Sequence, residues 1–139
     1  MNPPKYARWE NERRFLLRQD ETSFIHGRPY FRLIEDRYLS CGRLRLRRLT
    51  ESDTGAVTLK LTKKYLSRSA LSQPIVTVFL SEAEHAVLHT LPGADLRKCR
   101  YYDDVDGQVF SIDVFEGPLA GLLLCSIETD TLDELVSRL

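Results

Sequence analysis

The sequence has few cysteines, no excess charge and no long apolar run. Its 139 residues include only Cys41, Cys99 and Cys125, with no CxxC pair, so we expect three free thiols and neither a disulfide framework nor a structural zinc site. Twenty basic residues offset twenty acidic ones, which excludes a globally basic nucleic-acid-binding protein. No run approaches the roughly 20 apolar residues of a membrane span, and the first ten residues lack the apolar core of a signal peptide. We therefore expect a cytoplasmic protein without membrane contact, forming one domain over residues 1–139.

Alternation of polar and apolar residues with a period of two is the main pattern present. It predicts eight strands, at residues 8–17, 31–39, 43–49, 57–63, 75–80, 96–102, 109–115 and 122–128. Asp106-Gly107 is a hairpin signal between two of them. Capping boxes beginning at Ser81 and Thr131 predict helices that run to about Leu91 and to Leu139. The fold class is therefore α+β, mainly antiparallel β. We expect the sheet to close into an eight-stranded barrel with a few peripheral helices, because closure removes exposed edges.

The polar faces of these strands carry more cations than anions. The apolar faces, which include Trp9, are expected to form the core. The polar faces together hold Arg8, Arg14, Arg43, Arg45, Arg47, Lys60, Lys98 and Arg100 against Glu10, Glu12, Asp113 and Glu128. One interpretation is the ordinary solvated face of an antiparallel sheet. In a closed barrel, however, the polar face would line a tunnel, and burying uncompensated cations costs several kcal/mol each.

A tunnel with this charge pattern predicts a compact, highly charged anion as its ligand. Guanidinium groups match phosphate oxygens in a bidentate manner, and lysine supplies a point charge. Carboxylates among the cations indicate a divalent metal, since Mg²⁺ is commonly held by one or two carboxylates together with substrate phosphates.

The first strand carries Glu10, Glu12 and Arg14 in a Glu-x-Glu-x-Arg spacing. This resembles the ExExK signature of CYTH-domain proteins, the triphosphate tunnel metalloenzymes, with Arg14 in place of the usual lysine. The similarity continues in the family's order through residues 38–39, 43–47, 58–62, 98–101, 112–117, 119–122 and 127–128. It extends over nearly the whole chain.

The resemblance implies an eight-stranded antiparallel tunnel that binds the triphosphate of its substrate with Mg²⁺ or Mn²⁺. By similarity, Glu10, Glu12 and Glu128 would be metal ligands, and Asp113 would be a further ligand or a carboxylate that positions water. In a hydrolase of this kind, a water activated near Glu128 or Asp113 would be the nucleophile. The phosphates would be held by Arg14, Arg45, Arg47, Lys60, Lys98 and Arg100. Known members act on inorganic triphosphate, thiamine triphosphate or RNA 5′-triphosphate ends, or cyclise ATP. The expected partner is therefore a triphosphate-containing small molecule or polyphosphate, with an RNA 5′-triphosphate end as the one nucleic-acid case; a homodimer is a further expectation.

The sequence departs from the family pattern in its acidic residues. Residues 74–78 contain no acid where members often carry two glutamates, and Ser111 and Ser126 stand where acids are common. Two hypotheses follow: a metal-dependent triphosphatase, and a non-catalytic module of the same fold that binds triphosphate or polyphosphate. A third, single-stranded RNA binding along residues 43–48, lacks the interleaved aromatic residues that stacking requires.

Overall fold

The computed structural model describes residues 2–21, 25 and 27–137. Within them lie eight strands and two α-helices. The strands are β1 (Arg8–Leu16), β2 (Arg32–Leu39), β3 (Leu44–Glu51), β4 (Val57–Lys64), β5 (Ser72–Phe79), β6 (Gly93–Val105), β7 (Gln108–Phe115) and β8 (Leu123–Thr129). The helices are α1 (Glu82–Leu88) and α2 (Leu132–Ser137), and short 3₁₀ turns occur at Gln19–Glu21 and Gly117–Leu119.

The eight strands form a closed barrel in the order β1-β5-β4-β3-β2-β6-β7-β8, with β8 paired back to β1. Every neighbouring pair is antiparallel. The prediction of a mainly antiparallel β fold of class α+β, closed into an eight-stranded barrel with peripheral helices, is therefore confirmed. None of the described helices has the length and apolar character needed to cross a membrane.

The local signals read from the sequence occur where they were expected. Asp106 and Gly107 both have positive φ, 52° and 81°, as the tight β6–β7 hairpin requires. Ser81 begins α1 with both hydrogen bonds of a capping box, although the helix ends at Leu88, earlier than predicted. The Thr131 hydroxyl accepts from the amide of Glu134 at the start of α2, and the predicted continuation to Leu139 lies outside the described residues. The three cysteines are free thiols.

The apolar strand faces point outward and are covered only in part. Leu46, Ile112 and Ile127 are almost fully buried there, and Leu135 of α2, which packs on β8 and β1, is completely buried. Trp9 was predicted to lie in the core, but its side chain is 54% exposed. It pairs with Pro74 at the β1–β5 seam, and the two helices make their principal contacts on β4, β8 and β1. Alternation correctly assigned Trp9 to the apolar face, but a face is a core only where another element covers it.

A buried asparagine joins three strands where the barrel closes. Asn11 is 4% exposed, and its amide nitrogen donates to the carbonyl oxygens of Thr129 (3.3 Å) and Asp130 (3.0 Å). Its side-chain oxygen accepts from the Ser72 hydroxyl at 2.7 Å. One side chain therefore links the end of β8, the centre of β1 and the start of β5.

We predict that Asn11→Ala destabilises the protein by about 2 kcal/mol, because it leaves buried polar groups without partners. Urea denaturation followed by circular dichroism measures this change. Asn2→Ala, at an exposed position, is the control and should have no measurable effect. A loss at Asn11 as small as that of the control would contradict this role for the residue.

Candidate functional site

Three glutamates meet on the inner wall of the barrel. Glu12 of β1 pairs directly with Glu128 of β8, and Glu10 lies two residues before Glu12 on the same strand face. One carboxylate oxygen from each lies within 4.8 Å of the others. We call Glu10, Glu12 and Glu128 the three-glutamate group. The predicted metal ligands are thus brought together by the closure of the barrel.

The three-glutamate group is electrostatically crowded. Burial and repulsion from Glu10 and Glu12 raise the pKa of Glu128 above its ordinary value, and Arg8 offsets this only in part. Burial also disfavours the Glu10 carboxylate, but the ion pair with Lys64, together with Arg45 and Arg14, outweighs burial and lowers the pKa of Glu10. Closely spaced carboxylates of this kind are stabilised by a divalent cation, and their oxygen atoms are the donors that Mg²⁺ and Mn²⁺ prefer. The group therefore fits such an ion.

Cations line the same lumen. A cavity of about 280 Å³ lies within the barrel and is bordered by the three-glutamate group together with Asp113, Arg14, Arg45, Arg47, Lys98 and Arg100. Lys60, the remaining residue of the predicted set, is not part of the cavity wall, but it pairs with Arg47 across β3 and β4. The polar strand faces therefore line the interior of a closed barrel and do not form an open solvated face.

Two buried aspartates hold three of these cations in place. Asp36 accepts from Nε and Nη2 of Arg47 at 2.7 and 2.8 Å. Asp113 accepts from Arg100 at 2.7 and 2.9 Å, and its Oδ2 lies 2.8 Å from Nζ of Lys98. Burial favours the neutral form of Asp113, but Arg100 and Lys98 outweigh burial and lower its pKa. Asp113, a candidate catalytic carboxylate, is thus fully engaged with cations and lies outside the three-glutamate group.

Asp36 was missed by the sequence analysis. It sits within Glu35-Asp36-Arg37, where three charged residues in succession conceal the alternation. The signal that could have found it is its register position, directly opposite Arg47 on the neighbouring strand.

Arg45 and Lys60 differ from the other cations of the lumen. Nε of Arg45 is buried without a hydrogen-bond partner. Burial and the neighbouring Arg47 lower the pKa of Arg45, and burial, Arg47 and Arg45 lower the pKa of Lys60. Within the described part of the chain, neither forms an ion pair with a carboxylate, whereas Arg14, Arg47, Lys64, Lys98 and Arg100 each do. Asp36 and Glu10 favour the charged form of Arg45 from a distance without forming an ion pair with it, so the charges of these two cations are compensated less than those of the paired cations.

The acidic residues that are absent from the sequence are not replaced in the lumen by nearby loops. On β5, Gln73 and Thr77 take register positions opposite Glu10 and Thr62, and Ser111 faces Ser126 across β7 and β8. Glu51 and Glu116, at strand ends, are paired with Arg32 and Arg97 instead. Among the described residues, the acids on the inner strand faces include the three-glutamate group, Asp36, Asp113 and, at the end of β3, Glu51, which shares the strand face of Arg45 and Arg47.

Solved structures share this architecture. The PH1819 protein from Pyrococcus horikoshii is 21% identical, with a TM-score of 0.66 over 93% of this chain and 85% of that chain. The inorganic triphosphatase NE1496 is 23% identical, with a TM-score of 0.51 over 92% and 78%. HpAC1 from Hippeastrum, which has a dominant triphosphatase activity, is 11% identical, with a TM-score of 0.56 over 94% and 83%.

These likenesses define the fold of the chain. Its closed eight-stranded antiparallel barrel is the fold of the CYTH, or triphosphate tunnel, proteins, as the sequence resemblance implied. No protein-family model matches the chain, and no curated protein matches it. The roles of its individual residues are therefore inferred from the geometry of its own tunnel.

We predict that Asp113→Asn destabilises the protein by about 3 kcal/mol at neutral pH, because it leaves buried cations without their partner. The pKa of Asp113 is lowered in the folded state, so its contribution is complete above the ordinary carboxyl pKa and is lost as the pH falls through the folded value. The stability gap between the wild type and Asp113→Asn should therefore narrow on acidification below about pH 4. Urea denaturation across this pH range measures it.

Asp20→Asn is the matched control, because Asp20 is 76% exposed and should show little difference from the wild type at any pH. A gap at Asp113 that is constant across the pH range would contradict the assignment of these ion pairs.

Proposed function

We propose that the protein is a metal-dependent hydrolase of inorganic triphosphate or of an organic triphosphate. The observation that carries this proposal is that one tunnel contains both cations without an ion pair and carboxylates that crowd one another. Arg45 and Lys60 form no ion pair with a carboxylate among the described residues, and Nε of Arg45 is buried without a hydrogen-bond partner, while the three-glutamate group crowds three carboxylates together. A triphosphate with a divalent cation supplies both missing charges.

The residues of the tunnel suit distinct tasks in such a reaction. A divalent ion held by the three-glutamate group would bridge phosphate oxygens and neutralise their charge during phosphoryl transfer. Arg45 and Lys60 would bind the phosphates directly, together with Arg14. Arg47, Lys98 and Arg100 would offer their remaining donors from positions fixed by Asp36 and Asp113.

Glu128 is the carboxylate best suited to accept a proton from the attacking water. Its side chain is 52% exposed and its ion pair with Arg8 is long, at 3.8 Å, so one carboxylate oxygen can accept from a water while the other faces the ion. Asp113, whose oxygens are occupied by Arg100 and Lys98, fits a positioning role for those two cations better.

The alternative function is a module that binds triphosphate or polyphosphate without turnover. The absence of acids on residues 74–78 and at Ser111 and Ser126 favours it, because a site with fewer carboxylates binds metal more weakly. The triphosphatase activity of two proteins with similar structures supports the enzyme instead. Cytoplasmic location, a homodimer and an RNA 5′-triphosphate end as substrate remain predictions.

Phosphate release from inorganic triphosphate, ATP and thiamine triphosphate distinguishes the two functions. Each substrate is assayed with Mg²⁺, with Mn²⁺ and with a chelator. We expect release that depends on the metal. Tight binding of inorganic triphosphate by calorimetry without release would assign the binding module, and absence of both would contradict either function.

Variants of the tunnel test the proposed residues. Arg45→Ala or Lys60→Ala should weaken triphosphate binding at least tenfold, the loss expected for one charge-assisted hydrogen bond, with little loss of fold. Arg48→Ala is the control, because Arg48 lies on the same strand as Arg45 but on the opposite face. Equal triphosphate affinity in all three variants by calorimetry would count against the tunnel as the binding site.

Glu12→Gln separates the metal site from the phosphate site. It should suppress metal-dependent turnover strongly without weakening metal-free triphosphate binding, since the amide keeps the shape of the side chain but is a poor metal ligand. An equal loss of turnover and of metal-free binding would point to a structural role for Glu12.

A further inference from the structure

Two members of the three-glutamate group already hold cations of the tunnel. Oε1 of Glu10 lies 2.9 Å from Nζ of Lys64, and these side chains are only 16% and 22% exposed. Oε1 of Glu12 accepts from Nε of Arg14 at 2.7 Å, with side chains 20% and 57% exposed. The sequence analysis had left Lys64 outside the phosphate-binding set.

Lys64 is also placed to reach a ligand in the tunnel. It follows Lys60 and Thr62 on the inner face of β4 and borders the same cavity as Arg45 and Arg14. Its flexible stem carries a point charge with three rotatable donors. The ammonium group can therefore turn from a carboxylate to a phosphate without a change in the backbone.

We propose that Lys64 and Arg14 exchange partners when the site fills: they pair with Glu10 and Glu12 in the free protein, and with the phosphates of the substrate when a divalent cation occupies the three-glutamate group. This inference rests on the proposed function and adds Lys64 to the substrate-binding residues. It makes the binding of metal and the binding of triphosphate mutually favourable.

The physical reason is that either ligand alone must disrupt an ion pair. A metal ion bound without phosphate lies beside the displaced ammonium and guanidinium groups, which repel it. A triphosphate bound without metal draws those groups away and is itself repelled by the carboxylates that they leave. When both ligands bind, each displaced charge gains a new partner. The resulting coupling is reciprocal, as binding linkage requires.

The ion pairs of Asp36 and Asp113 are of a different kind. Arg47 donates two hydrogen bonds to Asp36, whose side chain is completely buried. Arg100 is likewise held by two bonds, to Asp113. Neither aspartate belongs to the three-glutamate group, so a metal bound there does not compete for them.

Lys64→Met tests the exchange, because it affects the two ligands in opposite directions. Mn²⁺ alone is titrated by electron paramagnetic resonance, and inorganic triphosphate alone is titrated by calorimetry in a chelator. We expect the variant to bind Mn²⁺ several-fold more tightly, since Glu10 is freed, and inorganic triphosphate about tenfold more weakly, since a charged donor is lost. Arg14→Met should shift both affinities in the same directions by smaller factors, because its pair is more exposed.

Two further variants complete the design. Lys63→Met is the matched control, because Nζ of Lys63 lies over the ring of Tyr65 on the opposite strand face; it should leave both affinities unchanged. Lys64→Arg keeps the charge and should bind Mn²⁺ and inorganic triphosphate with affinities close to those of the wild type. Thermal melting checks that each variant is folded.

The outcomes are distinguishable. If Lys64→Met weakens the binding of both ligands, or leaves Mn²⁺ affinity unchanged while the wild type binds both, the exchange is wrong and the proposed function stands. If the wild type binds neither Mn²⁺ nor inorganic triphosphate, the proposed function itself fails, and the exchange fails with it.

Discussion

Enclosing charge inside a closed barrel is the constraint on which the rest of this structure depends. Polar and apolar residues alternate along most of the strands, so closure turns one face of each strand toward the lumen, and with these faces a row of arginines and lysines. Burying such groups without partners is unfavourable, because each uncompensated ion costs several kcal/mol. Carboxylates on neighbouring strands offset part of that cost; they belong to Asp36, Asp113 and the three-glutamate group.

Some cations of the tunnel have no carboxylate partner, and this difference among the cations is the basis of the proposed function. Arg47, Lys98 and Arg100 are held rigidly by buried aspartates, so they act as fixed donors. Lys64 and Arg14 are held by glutamates that suit a metal ion. Arg45 and Lys60 are left without a carboxylate in the described residues. The tunnel thus contains three kinds of cation: those in fixed ion pairs, those in exchangeable ion pairs and those without an ion pair. This arrangement fits a ligand that carries several negative charges in a row.

The sequence predicted the parts of this arrangement that local pattern determines. Period-two alternation located the strands and put Arg45 and Lys60 on one face, and Asp106-Gly107 located a hairpin. Closure itself followed from the need to protect strand edges and from the family resemblance. The meeting of Glu10 and Glu12 with Glu128 depends on pairing between the first and last strands, which are far apart in the chain, and only the resemblance suggested it.

Other features depend on cross-strand neighbours that no local pattern specifies. The partnership of Asp36 with Arg47 and that of Lys64 with Glu10 arise from strand register and barrel stagger. Trp9 was misplaced for a related reason, since alternation identifies an apolar face but not the element that covers it. The catalytic and binding roles assigned to individual residues remain predictions that only ligand-bound measurements can decide.

The most direct measurement is diffraction from crystals of the protein grown with Mn²⁺ and a non-hydrolysable imido analogue of inorganic triphosphate, recorded at a wavelength where manganese scatters anomalously. The account predicts a manganese peak coordinated directly by Glu10, Glu12 and Glu128, with the triphosphate extending over Arg45 and Lys60. Lys64 should then contact a phosphate oxygen instead of Glu10. A manganese peak elsewhere, or a triphosphate outside the barrel, would contradict it.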